Sequence, residues 1–129
     1  MREVASMKSL LNQSEQLLYG RLVRAFPGHI VLARVALSCP KPWVVDFAVL
    51  RSDFTVLAAV ELDSRAKPRI GQREREARME AALHAAGIKI LRLVAEDIPS
   101  DAAIRALVAA LPLTSTAAPM GGTPMRQAS

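Results

Sequence analysis

The segment from Val44 to Asp63, VVDFAVLRSDFTVLAAVELD, constrains this chain more than any other, because it sets acids inside two runs that otherwise read as buried strands. A tight polar turn at Arg51, Ser52 and Asp53 separates the runs. Asp46 interrupts the first, and Glu61 and Asp63 close the second. Burying a carboxylate is costly unless it is paired or binds a metal. Side chains two apart on a strand share a face, so Glu61 and Asp63 project together while Val60 and Leu62 face the other way. An antiparallel hairpin across the turn would bring Asp46 beside them. Three carboxylates on one sheet face suit a hard, oxygen-liking cation such as magnesium.

The rest of the chain is consistent with one α/β layer structure around that hairpin. Its 129 residues suffice for a single domain with a modest core. Hydrophobic residues are 51% but aromatics only 4%, so Leu, Val, Ile and Ala must fill the interior. A net charge of +5 is compatible with a polyanionic partner, although many domains are mildly basic. The single cysteine, Cys39, excludes an internal disulfide framework and a Cys-rich zinc site. The opening MREVASMKSLL is a poor signal peptide, and no run reaches the ~20 apolar residues of a membrane span. A cytoplasmic location without membrane attachment is the expectation.

Taken in order, residues 1–11 read as a flexible lead-in. Asn12 and Glu15 have the spacing of a capping box, followed to about Phe26 by Leu17, Leu18, Leu22, Val23 and Phe26 at helical intervals. Pro27-Gly28 stops that helix. His29 to Leu37, HIVLARVAL, reads as a strand, and Ser38 to Pro42 as a loop whose prolines cannot join a central ladder. After the hairpin, a charged linker runs from Ser64 to Gly71. Gln72 to Ala86 is expected to be a helix with Ala77, Ala81, Ala82, Ala85 and Ala86 as its inner face and Gly87 as its C-cap. Ile88 to Val94 is the next strand, reached by a connection of βαβ length. Ser100 and Asp101 open a last helix with Ile104, Leu107, Val108 and Leu111 on its buried side. From 112 to 129, Ser, Thr, Pro, Gly and Met without periodicity predict a disordered tail. The folded domain is therefore 12–111, with helix, three-stranded meander, helix, strand and helix forming a four-stranded mixed sheet flanked by helices.

The stretches NQSEQLLYGRL, VVDFAVL, VAAVELD and AAGIKILRL, in that order, resemble a bacterial family, domain of unknown function 2726. The order of elements, with acids on the second and third strands, resembles the wider restriction-endonuclease-like, PD-(D/E)xK, nuclease superfamily. The likeness runs from Leu10 to Leu111. It implies an αβββαβ core and a magnesium-dependent nuclease, with manganese as a substitute, that hydrolyses phosphodiester bonds in DNA. In that reading Asp46 and Glu61 match the motif acids that hold the metal. Asp63 would be a third ligand or a holder of metal-bound water, and Glu15 matches a first-helix acid that orients that water. The superfamily usually has lysine where this chain has Asp63. The family often continues with an acid and a histidine and has a helix lysine; here Ser64-Arg65-Ala66-Lys67 and Met79 stand instead. Lys67, Arg75 and Arg78 are candidates for the missing positive charge. Phosphate contacts would come from the basic linker and helix, Arg65, Lys67, Arg69, Arg73, Arg75 and Arg78.

Plainer readings stand beside these. Asp46 could pair with an arginine across the sheet, Glu61 and Asp63 could mark a strand's exposed end, and Glu15 could be only a capping acid. The arginines are interleaved with Glu74, Glu76 and Glu80, as on a solvated face. The first alternative is a catalytically degenerate domain of the same fold that binds nucleic acid or a protein partner without cutting, and the second a small α/β domain with an interaction role and no nucleic acid. The sequence leaves oligomeric state open.

Overall fold

The computed structural model describes residues 11–65 and 71–112. Most of the expected lead-in, the linker residues Lys67 and Arg69, and the expected tail beyond Pro112 lie outside the described residues. The elements are α1 (Gln13–Ala25), β1 (Ile30–Ser38), β2 (Pro42–Leu50), β3 (Val56–Asp63), α2 (Gln72–Ala85), β4 (Lys89–Val94) and α3 (Asp101–Ala110). Strands β1, β2 and β3 form an antiparallel meander, and β4 joins β3 in parallel, giving one open mixed sheet in the order β1-β2-β3-β4. Among the described residues no helix is long and apolar enough to cross a membrane.

Local chemistry sets the helix ends. The backbone N–H of Glu15 donates to Asn12 Oδ1 and that of Asn12 to Glu15 Oε1, both at 2.9 Å, closing the expected capping box. The Ser100 hydroxyl accepts from the Ala103 N–H and starts α3. Gly87, at φ 79, ends α2: its N–H donates to the His84 carbonyl and that of Ile88 to Leu83, a Schellman closure. Arg21 Nη1 donates to the carbonyls of Ile98 and Pro99, and Arg105 Nε to that of Ala25, which ties α1 to α3.

Helices α1 and α3 share one face of the sheet, where Leu18, Leu22, Ile104 and Val108 pack on Phe47, Val49, Val60, Leu91 and Leu93. Helix α2 covers the other face. Its inward residues are Met79 and Leu83, packed with Val45, Ala48, Ala59 and Ile90. The expected alanine face is therefore wrong: Ala77, Ala81, Ala85 and Ala86 are exposed and Ala82 is half-buried. Two larger apolar groups four apart remove more area from water than a stripe of methyls, and they set the helix's rotation. Leu107 is also turned outward, at 43% exposure, because the short α3 buries one narrow stripe through Ile104 and Val108. Leu17 and Val23 likewise stand exposed beside the buried Leu18 and Leu22.

The hairpin connection is longer than the three residues expected. It runs to Thr55, whose N–H and hydroxyl both reach Asp53 Oδ1, while Phe54 takes φ 70. At the other end of β2, Pro42 belongs to the strand and stands opposite Ser38. The proline is tolerated because β2 has β1 alone as a neighbour there: the β2–β3 ladder ends at Phe47–Val60.

The sheet changes sense at one rung. Val31 and Ala33 pack toward α1 and α3, whereas Val35 and Leu37 pack toward α2. In β2, Phe47 and Val49 face α1 and α3, whereas Trp43 and Val45 face α2. Between the paired rungs Ala33–Phe47 and Val35–Val45 stand Arg34 and Asp46, and Arg34 has φ 52. A left-handed residue inside a strand breaks the period-two alternation, so the residues beyond it emerge on the opposite face. This is also where β2 leaves β3, while β3 stays paired with β4 to Asp63–Val94.

Candidate functional site at the parting of two strands

Where β2 and β3 separate, side chains replace the ladder. The Asp46 N–H donates to Glu61 Oε2 at 2.7 Å, and the Leu62 N–H donates to Asp46 Oδ2 at 2.7 Å. Each acid thus occupies a backbone donor on the other strand, which accounts for carboxylates in two apolar runs: they satisfy N–H groups that the diverging strands would orphan. Asp46 Oδ1 and Glu61 Oε1 are left without a donor among the described residues.

The pair is electrostatically loaded. Burial, followed by the Asp46 charge, pushes the Glu61 carboxyl up to about 7; the Asp46 N–H and Arg92 oppose that rise, and Asp63 adds to it. Arg92 lies beside Glu61 on β4 and is drawn toward α2, with Nε 3.3 Å from Glu80 and Nη1 3.4 Å from Glu76. Glu76 also accepts from Gln72 Nε2 at 2.6 Å, and the same amide nitrogen is 3.3 Å from Asp63 Oδ1.

Asp46, Glu61 and Asp63 line one cleft of about 400 Å³ with Arg34, Trp43, Gln72, Arg75, Glu76 and Met79. The three strand acids expected on one face are thus brought to one opening, and of the expected phosphate-binding arginines Arg75 joins them. Arg73 and Arg78 are exposed on α2 and do not line the cleft. Lys67 and Arg69 lie outside the described residues. Glu15 is buried at 8% exposure and does not line the cleft; both its oxygens accept from Arg34 Nη2, at 2.8 and 2.6 Å.

Sequence reasoning passed over Arg34 and Arg92. The signal was present, since a cation inside HIVLARVAL or IKILRLV is as anomalous as an acid inside VVDFAVL. Met79, at the place of a helix lysine in the resemblance, is a core residue whose side chain fills the space between α2 and the sheet.

The donor set can be tested against the implied cation. Among the described residues no three His, Cys, Asp or Glu side chains gather closely enough to hold a metal by themselves. Magnesium does not require that: it keeps several waters and is commonly bound by one or two carboxylates together with substrate phosphates. One unengaged oxygen on each of Asp46 and Glu61, in a cleft that Asp63 also lines, is a donor set of the kind magnesium or manganese takes.

Comparison with protein families gives a match over residues 42–111, more than half of the chain, to a family described as "Protein of unknown function (DUF2726)". No curated protein and no solved structure matches the chain.

Proposed function

The chain belongs to the DUF2726 family, and from the acid site inside the matched span we propose that it is a metal-dependent nuclease of the restriction-endonuclease-like, PD-(D/E)xK, superfamily that hydrolyses phosphodiester bonds in DNA. The observation that carries this reading is the reciprocal lock between Asp46 and Glu61, which fixes two carboxylates across a strand fork and leaves one oxygen of each unengaged. The helix, meander, helix and strand order around that fork supports the same placement.

Asp46 and Glu61 would hold magnesium or manganese. Such an ion supplies a Lewis acid for the phosphate and lowers the pKa of its water. The chain's own part is preorganisation. Backbone N–H donors from the opposite strand fix both carboxylates, so little reorganisation accompanies the reaction. Glu61 must lose its proton to serve, which occurs as pH rises through about 7. Arg75 lies on the wall of the same cleft and offers positive charge to a phosphate. In the hydrolysis, the water oxygen bonds to phosphorus while the bond to the leaving sugar oxygen breaks and that oxygen takes up a proton.

The alternative, a degenerate domain that binds without cutting, is favoured by one feature: an acid, Asp63, stands two residues after Glu61 where the superfamily it resembles usually has lysine. Calorimetric titration of manganese into the protein separates the readings, with Asp46→Ala, Glu61→Ala and a plasmid-nicking assay in parallel. The nuclease reading expects binding and nicking, both lost in each variant. Salt-sensitive DNA binding without metal uptake or nicking moves the assignment to the binding domain. If neither activity is found, both readings fall.

A further inference from the structure

A phosphate entering the cleft beside Asp46, Glu61 and Asp63 needs a cation to offset their negative charge. We propose that Arg34, on β1, is the phosphate-binding cation of this cleft and that Glu15 is its positioning residue; this rests on the nuclease reading above.

Three observations converge on Arg34. It stands across the β1–β2 ladder from Asp46, between the rungs Ala33–Phe47 and Val35–Val45, and it lines the cleft that contains Asp46 and Glu61. Its guanidinium is anchored through one nitrogen alone: Nη2 donates to both Glu15 oxygens. Nε and Nη1 have no acceptor among the described residues, and the side chain is 55% exposed. A guanidinium held at one corner presents its remaining N–H groups in the planar fork that matches two phosphate oxygens. The anchor is itself fixed, because Glu15 is buried and accepts from the Asn12 N–H at the helix cap. The third observation is the backbone. Arg34 has φ 52, a conformation that glycine or asparagine adopts more easily, and a charged residue held there points to use of its side chain.

Two neighbouring cations are less well placed, and Arg92 does not line the cleft. Arg92 is directed to Glu76 and Glu80, and Arg75 has no side-chain anchor among the described residues. Arg34 combines a fixed position, free donors and adjacency to the acid pair. On this assignment Glu15 acts through Arg34 rather than on the metal-bound water.

The test compares wild type with Arg34→Gln, Arg34→Lys and Glu15→Gln, each first checked for an intact thermal melt. Glutamine at 15 can still close the capping box, so the third variant tests the anchor if Arg34→Gln folds poorly. Manganese affinity is expected to stay within about twofold of wild type in all three. Cleavage of a DNA duplex should fall about 100-fold in Arg34→Gln, mostly in kcat, on the scale of losing one preorganised charge-stabilising donor. Arg34→Lys should recover part of that loss, and Glu15→Gln should fall between. DNA binding in calcium should lose about one unit of its salt slope in Arg34→Gln. Unchanged cleavage and salt slope in Arg34→Gln overturn the assignment while leaving the nuclease reading intact. If wild type binds DNA but does not cut, the nuclease reading fails and the salt slope alone decides: a loss of about one upholds Arg34 as a phosphate ligand, and no loss overturns it. Absence of DNA binding overturns both.

Discussion

Burial and the neighbouring Asp46 charge hold the Glu61 carboxyl near 7, against an ordinary value of 4.5. The folded chain therefore binds this proton more tightly than the unfolded chain does. The associated stability is fully present below pH 4.5 and is lost as pH rises through about 7. A neutral isostere removes the ionisation yet can still accept the Asp46 N–H. Glu61→Gln should thus melt above wild type at pH 8, by on the order of 1–2 kcal/mol once partial exposure of the group is allowed for. The advantage should shrink toward pH 5, which circular-dichroism melts across that range would measure; a difference independent of pH would refute the assignment. The same substitution should abolish manganese uptake, so that stability and binding move in opposite directions. The acids were legible because they break a rule: a carboxylate in an apolar run demands a reason. Arg34 breaks the same rule, but nothing in its side chain announces a left-handed backbone. The strand expectation for HIVLARVAL therefore matches β1 to within one residue at each end and is silent about the kink that directs the residue.

At the level of elements, caps and breakers were the most readable signals. Asn12, Ser100 and Gly87 mark ends that the hydrogen bonds then close. The rotation of α2 was not readable, because its many alanines are compatible with several inward faces and the choice lies with the sheet beneath. Val45, Ala48, Ala59 and Ile90 accept Met79 and Leu83. This yields a contrast opposite to the one the alanine stripe suggests. Leu83 is wholly buried, so Leu83→Ala should lower unfolding free energy by about 3 kcal/mol. Ala81 is exposed, so Ala81→Ser should stay within about 0.5 kcal/mol of wild type. Urea midpoints for the two variants would decide it, and a larger loss at Ala81 would mean that the helix is rotated from the position described.

At the scale of the whole molecule, the site exists only when non-local elements are in place. Strands β2 and β3 must pair through Phe47–Val60 and then part, and α2 must cross over the parting to close the cleft. Sequence periodicity could supply the strands, but not the rung at which the ladder stops, which coincides with the bend at Arg34 in β1. An ion that requires both Asp46 and Glu61 should consequently bind the native fold and not the unfolded chain. Mass action then makes magnesium a stabiliser, by roughly 1.4 kcal/mol at tenfold excess over its Kd. For a domain of this size that corresponds to a rise in Tm of roughly 5–10 °C at constant ionic strength. Asp46→Asn retains an oxygen for the Leu62 N–H, so it should fold yet lose the magnesium-dependent rise. A degenerate binding domain would behave differently, gaining stability from DNA but none from magnesium. Melting wild type and Asp46→Asn with each ligand at matched ionic strength therefore asks whether the strand fork is a cation site or simply the way this sheet satisfies two N–H groups as its strands diverge.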